Sequence, residues 1–147
     1  MTDFSTLLMD NKVWADRLSD LVAQLSDTDL TRPLEAGWTV SSILAHLTFW
    51  DIRIVTLLEK WSREEAIGPS EIDSDVINEV ARRQFLTIPP RTAAEMAVTW
   101  SRKANAAIEA LTPQTAAEIL AKAPNVRLDR THHRKAHIEE IEAALGL

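Results

Sequence analysis

Three histidines carry the chemistry that can be read from this chain. His133 and His137 lie in the stretch Thr131-His132-His133-Arg134-Lys135-Ala136-His137-Ile138. Four residues apart on a helix, both imidazoles leave the same face one turn from each other. His46 lies far upstream, in the middle of the most hydrophobic segment. Imidazole suits zinc, nickel, copper and iron(II), and three protein ligands with open positions are the usual catalytic arrangement. Two histidines from one helix and a third from another suggest a metal site inside a helical bundle. The fourth histidine, His132, cannot replace His133 in the pair, because five residues from His137 means about 140° round the helix. It reads as a surface or rim residue. The residues alone leave two readings open. Chance i,i+4 histidine pairs are common on exposed helices, and a lone histidine at the rim of an apolar face is more often a satisfied core residue than a ligand.

Two carboxylates accompany the histidines. Asp51 falls inside the apolar arc of the helix that carries His46, where a lone carboxylate is costly unless paired. A pair with an arginine is the default, and support of a histidine is the alternative. Glu140 follows His137 by three residues and shares its side of the helix; its default role is a solvated helix-end charge. A zinc-peptidase motif needs a glutamate directly after the first histidine, and here Arg134, Lys135 and Ala136 follow His133. That chemistry is argued against. There is also no phosphate-binding glycine loop and no G-x-S-x-G.

The elements that must position these groups are helices. Leu7, Trp14, Leu18, Leu21 and Leu25 mark an amphipathic helix over about 3–25. Asn11 falls in that seam and reads as a half-buried polar residue bonded to a neighbouring helix. Ser26-Asp27-Thr28-Asp29 breaks the helix, and Pro33 and Gly37 mark a loop. A second helix starts near Thr39, a good N-cap, and runs to about Trp61. Val40, Ile43, Leu44, Leu47, Trp50, Ile54, Leu57, Leu58 and Trp61 share one arc, with His46 at its edge. Ala45, Phe49 and Ile52 form a second apolar strip, to be covered by the segment 74–86 or by another subunit. Asp75 to Phe85 reads as a shorter helix with Val76, Ile77, Val80 and Ala81 inward. Pro89-Pro90 closes it. Thr92-Ala93-Ala94-Glu95 has the form of a capping box and predicts a helix from there to about Leu111. Thr112-Pro113 opens a short turn of helix, Pro124-Asn125 breaks the chain again, and the last helix spans roughly 129–145.

With 147 residues the expectation is one domain, 1–147, able to bury a core without disulfides. Three glycines and no tyrosine suit an all-α protein. The absence of cysteine removes any disulfide framework, thiolate ligand or protein thiol nucleophile, and agrees with a cytoplasmic location. Sixteen basic and 22 acidic residues give a charge of −6, which argues against a nucleic-acid partner. The start, Met1-Thr2-Asp3-Phe4, lacks a basic region before a long apolar run, so no signal peptide is expected. No uncharged stretch reaches the length of a membrane span, and no membrane partner is expected. Four main helices and shorter pieces point to a four-helix bundle.

Several stretches resemble the DinB-like and YfiT-like superfamily of metal-binding four-helix bundles, which is related to the N-terminal domain of mycothiol-dependent maleylpyruvate isomerase. Asn11-Lys12-Val13-Trp14-Ala15 resembles its N-x-x-W-A opening, with Leu18 following three residues later. Gly37-Trp38-Thr39-Val40-Ser41-Ser42-Ile43-Leu44-Ala45-His46-Leu47-Thr48-Phe49-Trp50-Asp51 is similar to its G-W-[ST]-V-x-x-[IVL]-L-x-H-[LIV]-x-x-W-[DE] helix. Ile77-Asn78 matches the I-N of its middle segment, and His133-Arg134-Lys135-Ala136-His137-Ile138 its terminal H-x-x-x-H-[IL].

The resemblance implies an all-α, DinB/YfiT-like four-helix bundle with additional short helices. It implies that His46, His133 and His137 hold one divalent transition metal, zinc or nickel, with water or substrate completing the shell. Its characterised members suggest a metal-dependent transferase that uses a low-molecular-weight thiol such as bacillithiol, mycothiol or glutathione. The alternatives are a metal-dependent hydrolase, for which Asp51 or Glu140 would be the carboxylates to test, and a non-catalytic stress-associated bundle with a structural metal. A small-molecule substrate and a homodimer are the partners expected. Relatives often have glutamate where this chain has Ala136, so the resemblance supplies no acid/base residue. The additional C-terminal domain of the maleylpyruvate isomerases is not expected here, and their particular reaction is not carried over.

Overall fold

The structure, a computed structural model, describes residues 3–64, 66–70 and 72–147. Among the described residues seven α-helices follow one another: α1 (Phe4–Gln24), α2 (Asp27–Leu30), α3 (Val40–Glu64), α4 (Ser74–Phe85), α5 (Pro90–Glu109), α6 (Pro113–Lys122) and α7 (Thr131–Leu145). The described residues form no strand, only one isolated bridge between Pro33 and Thr39. The four long helices α1, α3, α5 and α7 make the bundle, with α3 lying most extensively against α5. This is the all-α bundle with additional short helices that the sequence implies.

Two apolar cores lie at different heights in the bundle. One joins Leu18, Leu21, Leu44, Leu47, Ala97, Ile138 and Ile141; the other joins Ile54, Leu58, Trp61, Ile108, Ile119 and Leu128. Between them, at intermediate positions on the same helices, stand buried Asn11 on α1, Asp51 on α3, Ser101 on α5 and Arg134 on α7. The bundle therefore carries a polar layer across its middle, and the histidine site is built against that layer.

Several local expectations change. Ser26 and Asp29 do more than break α1: they form a reciprocal capping box that opens α2. Helix α5 begins at Pro90, with no side-chain cap, two residues before Thr92. A proline at the first helical position already has the right φ and lacks an amide that would go unpaired, so the apparent box at Thr92-Glu95 lies inside the helix. On α4 the inward stripe is Ala81 and Phe85, whereas Val76 and Val80 are 57% and 67% exposed. Those two valines were expected inward; the stripe that meets Ala45 and Phe49 runs through the next positions round the helix. Ala45 and Phe49 of the second strip of α3 thus meet α4 together with Ile88 and Ala93, whereas Ile52 stays half-buried outside that cluster. By length and composition alone α3 could cross a membrane, yet Asp51 and Arg53 interrupt its apolar run, so the uncharged stretch still falls short of a span. Within the chain 61% of its most apolar window is buried, as suits the central helix of a bundle.

Candidate metal centre

The turn before α3 sets the first wall of the site. Ala36 and Gly37 both take left-handed backbone angles, φ 53° and 81°. The positive φ of Gly37 favours glycine, and a Cβ there would only have to displace the flexible guanidinium end of Arg82, 2.8 Å away. Thr39 then caps α3, its hydroxyl accepting from the Ser42 amide at 3.2 Å. The turn brings Trp38 edge-on to His46, with ring centroids 5.4 Å apart. Trp50, one turn beyond His46 on α3, forms the other flank at 6.5 Å. Its indole N–H donates to Asn78 Oδ1 of α4 at 3.0 Å, which fixes the ring.

Helix α7 brings His133 and His137 to this point. The three ring centroids stand 4.8, 4.9 and 5.0 Å from one another, and one nitrogen from each ring falls within 4.8 Å of the others. His46 Nε2 and His133 Nε2 face each other at 2.8 Å. In the metal-free protein both are held neutral. Burial pushes His46 down to about 4, helped by His137 and Arg130. Burial pushes His133 down to about 2, helped by Arg130 and the other two histidines.

The outer nitrogens of the rings meet different surroundings. His137 Nδ1 lies 2.9 Å from Glu140 Oε2, so the carboxylate accepts its N–H and leaves Nε2 bare toward the cluster. Glu140 is therefore an orienting partner of His137 and not merely a solvated charge at the helix end. Among the described residues His46 Nδ1 is buried without a hydrogen-bond partner, so His46 is not a satisfied core histidine there. His133 Nδ1 lies 3.3 Å from Nη2 of Arg130. A guanidinium can only donate, and it therefore favours the tautomer with the proton on His133 Nε2.

Arg130 belongs to the polar layer. Its Nε donates to Asp51 Oδ1 at 2.9 Å, and Nη2 of Arg134 lies 3.4 Å from the other carboxylate oxygen. Asp51 thus pairs with arginine, as its place in the apolar arc demands, and through Arg130 it also reaches a histidine. Arg134 further donates to the Asn11 carbonyl, Asn105 Oδ1 and the Ser101 carbonyl at 2.9, 2.8 and 3.1 Å. Asn11 is only 1% exposed, not half-buried. Its side chain bonds the segment before α7 rather than a helix: the amide donates to the Leu128 carbonyl and Oδ1 accepts the Arg130 N–H.

The sequence brought out His46, His133, His137, Asp51 and Glu140, and all five meet around one cavity or just behind it. It missed Arg130 and Arg134 as structural groups. Arg130, Arg134, Ile138 and Ile141 are spaced by four, four and three, the spacing of one helix face, so the inward direction was readable. His132 is exposed and lines the cavity mouth, a rim position. The cavity itself measures about 740 Å³ and opens between Trp38, Trp50 and the three histidines.

A scan against protein-family models matches residues 13–141 to the mycothiol maleylpyruvate isomerase N-terminal domain, a DinB/YfiT-like domain. The chain belongs to that family. Neither a search of curated proteins nor one of solved structures gives a match. The residues of this DinB-like domain fit a divalent metal on their own geometry. Three imidazoles converge, two ring nitrogens face each other at a distance where only a shared proton or a cation relieves their lone pairs, and Glu140 holds the tautomer of His137 that a ligand needs. The Arg130 contact works against ligation through His133 Nε2, because that nitrogen must lose its proton to bind a metal.

Proposed function

We propose that this DinB-like protein is a metal-dependent transferase of a low-molecular-weight thiol. The observation that carries the reading is the three-histidine cluster opening into a cavity of small-molecule size in a chain without cysteine. A divalent ion held by His46, His133 and His137, zinc or nickel by its ligand set, supplies a Lewis acid that lowers the pKa of a bound thiol. The chain's own residues shape and orient. Trp38 and Trp50 wall the approach, Glu140 aims His137, and the Asp51–Arg130 pair anchors the base of α7 beside His133. Thiol chemistry is favoured over hydrolysis because neither carboxylate named for a hydrolase is free. Asp51 is buried between two arginines, and Glu140 is bonded to His137. A thiol needs no protein base once its proton is acidified, whereas attack by water is helped by one.

The test is a fluorescent electrophile, monochlorobimane, added to zinc- or nickel-loaded protein with bacillithiol, mycothiol or glutathione in turn. Thiol-dependent conjugation that disappears in His46→Ala and His137→Ala supports the reading. Turnover without thiol would transfer it to hydrolysis, and metal-dependent stability with no turnover would make the metal structural. The reading has the protein act as a cytoplasmic homodimer. The absence of cysteine and the exposed Val76 and Val80 of α4 support this, and sedimentation at micromolar concentration tests the dimer.

A further inference from the structure

Beside the histidine cavity lies a second, polar recess of about 320 Å³. It is lined by Arg53 of α3, Ser70, Ser74 at the start of α4, and Asn125 and Arg127 of the segment between α6 and α7. Trp50, Arg53, Ser74, Asn125 and Arg127 also line the main cavity, so the two spaces are continuous past the Trp50 ring. No carboxylate lines the recess among the described residues. Among the described residues its two charged lining groups, Arg53 and Arg127, are both cationic.

Arg53 is held ready for a ligand. Its Nη2 donates to the Ser70 carbonyl and hydroxyl at 2.9 and 3.0 Å, and its guanidinium stands 5.6 Å from the Trp50 ring centroid. Among the described residues Nε and Nη1 make no hydrogen bond, and neither they nor Arg127 find a carboxylate. Deeper in, one carboxylate, Asp51, serves both Arg130 and Arg134. Burial and the nearby Arg130 charge both disfavour the Arg53 cation, an imbalance that a bound anion removes. Guanidinium forks bind carboxylates with matched geometry.

We propose that the Arg53–Arg127 recess binds a carboxylate group of the small molecule whose reactive end reaches the histidines. This deepens the thiol-transfer reading and rests on it for the identity of that reactive end. Of the three thiols considered, glutathione and bacillithiol carry carboxylates and mycothiol carries none. The carboxylate can belong to the thiol or to the electrophile it attacks, and the geometry serves either.

The experiment has two parts. In the first, calorimetry measures malate binding to metal-free protein, to Arg127→Gln and to Arg53→Lys. Arg127 is exposed, so its loss leaves the fold intact, and circular dichroism checks both variants. The expected result is saturable binding, weakened about tenfold or more in Arg127→Gln, as loss of a charge-assisted hydrogen bond implies. The lysine at 53 keeps the charge and loses only the fork. Its malate affinity falls less. No saturable binding, or wild-type affinity in Arg127→Gln, overturns the proposal, as does inorganic phosphate binding more tightly than malate. In the second part, zinc-loaded protein is assayed with glutathione and its ethyl ester. A KM raised in Arg127→Gln for glutathione but not for the ester assigns the carboxylate to the thiol. A KM raised only for an anionic electrophile assigns it to the acceptor. Conjugation indifferent to Arg127→Gln and to esterification overturns the recess while leaving thiol transfer standing. Malate binding lost in Arg127→Gln, with no conjugation seen, upholds the recess and fails the transferase reading.

Discussion

Asp51→Asn is the sharpest perturbation available in the polar layer. The substitution keeps the shape and one acceptor but removes the carboxylate charge that directly pairs both buried guanidiniums. Asp51 and Arg134 are each 1% exposed along the side chain and Arg130 is 7% exposed, so water does not screen the change. Breaking a buried ion pair by removing one partner costs about 3–5 kcal/mol, because an uncompensated charge is left behind. A chain of this size loses roughly 2–4 °C of melting temperature per kcal/mol. The expected fall is therefore about 6–20 °C, read by circular dichroism on metal-free protein. Arg134→Met in the same chain should recover part of the loss, since one arginine then matches the remaining acceptor and a thioether fills the space. The two single variants and the double variant form a cycle whose coupling term should exceed about 1 kcal/mol. Asp51→Asn melting within about 2 °C of wild type, with no coupling to Arg134, would refute the claim that one carboxylate holds both arginines.

Three more predictions follow from the same geometry. Metal-free protein should lose stability as pH falls from 6.5 toward 4, because His46 binds its proton at about 4 when folded and near 6.5 when unfolded. The folded pKa is depressed, so the unfolded chain gains protons first; denaturant melts across this window should show a loss of order 3 kcal/mol from His46 alone, and a flat profile would contradict it. Glu140→Gln should weaken zinc binding about 10–100-fold by competition titration, since the amide no longer accepts the His137 N–H with a charge; unchanged affinity would remove the orienting role. Asn11→Ala should cost about 2–5 kcal/mol in urea melts, because it strands the buried Leu128 carbonyl and Arg130 N–H.

The histidines were legible because helical spacing is a strict geometric constraint: residues four apart must share a face. Asp51 was legible for the same reason, as a charge in an apolar arc that had to find a cation. Which cation was not legible, since the partners lie 79 and 83 residues away and only the packing of α7 against α3 brings them in. The inward valines of α4 failed because apolar character alone was used to choose the buried face. A short helix has several apolar positions, and the neighbour it meets decides among them, here through Ala81 and Phe85. Asn11 was placed correctly in its seam, yet its partners are backbone groups of an irregular segment, which leaves no pattern in sequence.

Asn11 sits in the first helix and grips the chain at Leu128 and Arg130, immediately before the helix that carries two of the three histidines. The direction in which α7 sets out is therefore set partly by a residue near the opposite end of the polypeptide, together with the Asp51 contacts to Arg130 and Arg134. During synthesis His46 emerges long before its companions, which are aimed only once the last segment closes onto α1, α3 and α5. Any ion held by all three imidazoles would then be captured late, by a completed bundle. A chain stalled short of that closure offers at most one or two scattered imidazoles, with correspondingly little hold on a metal.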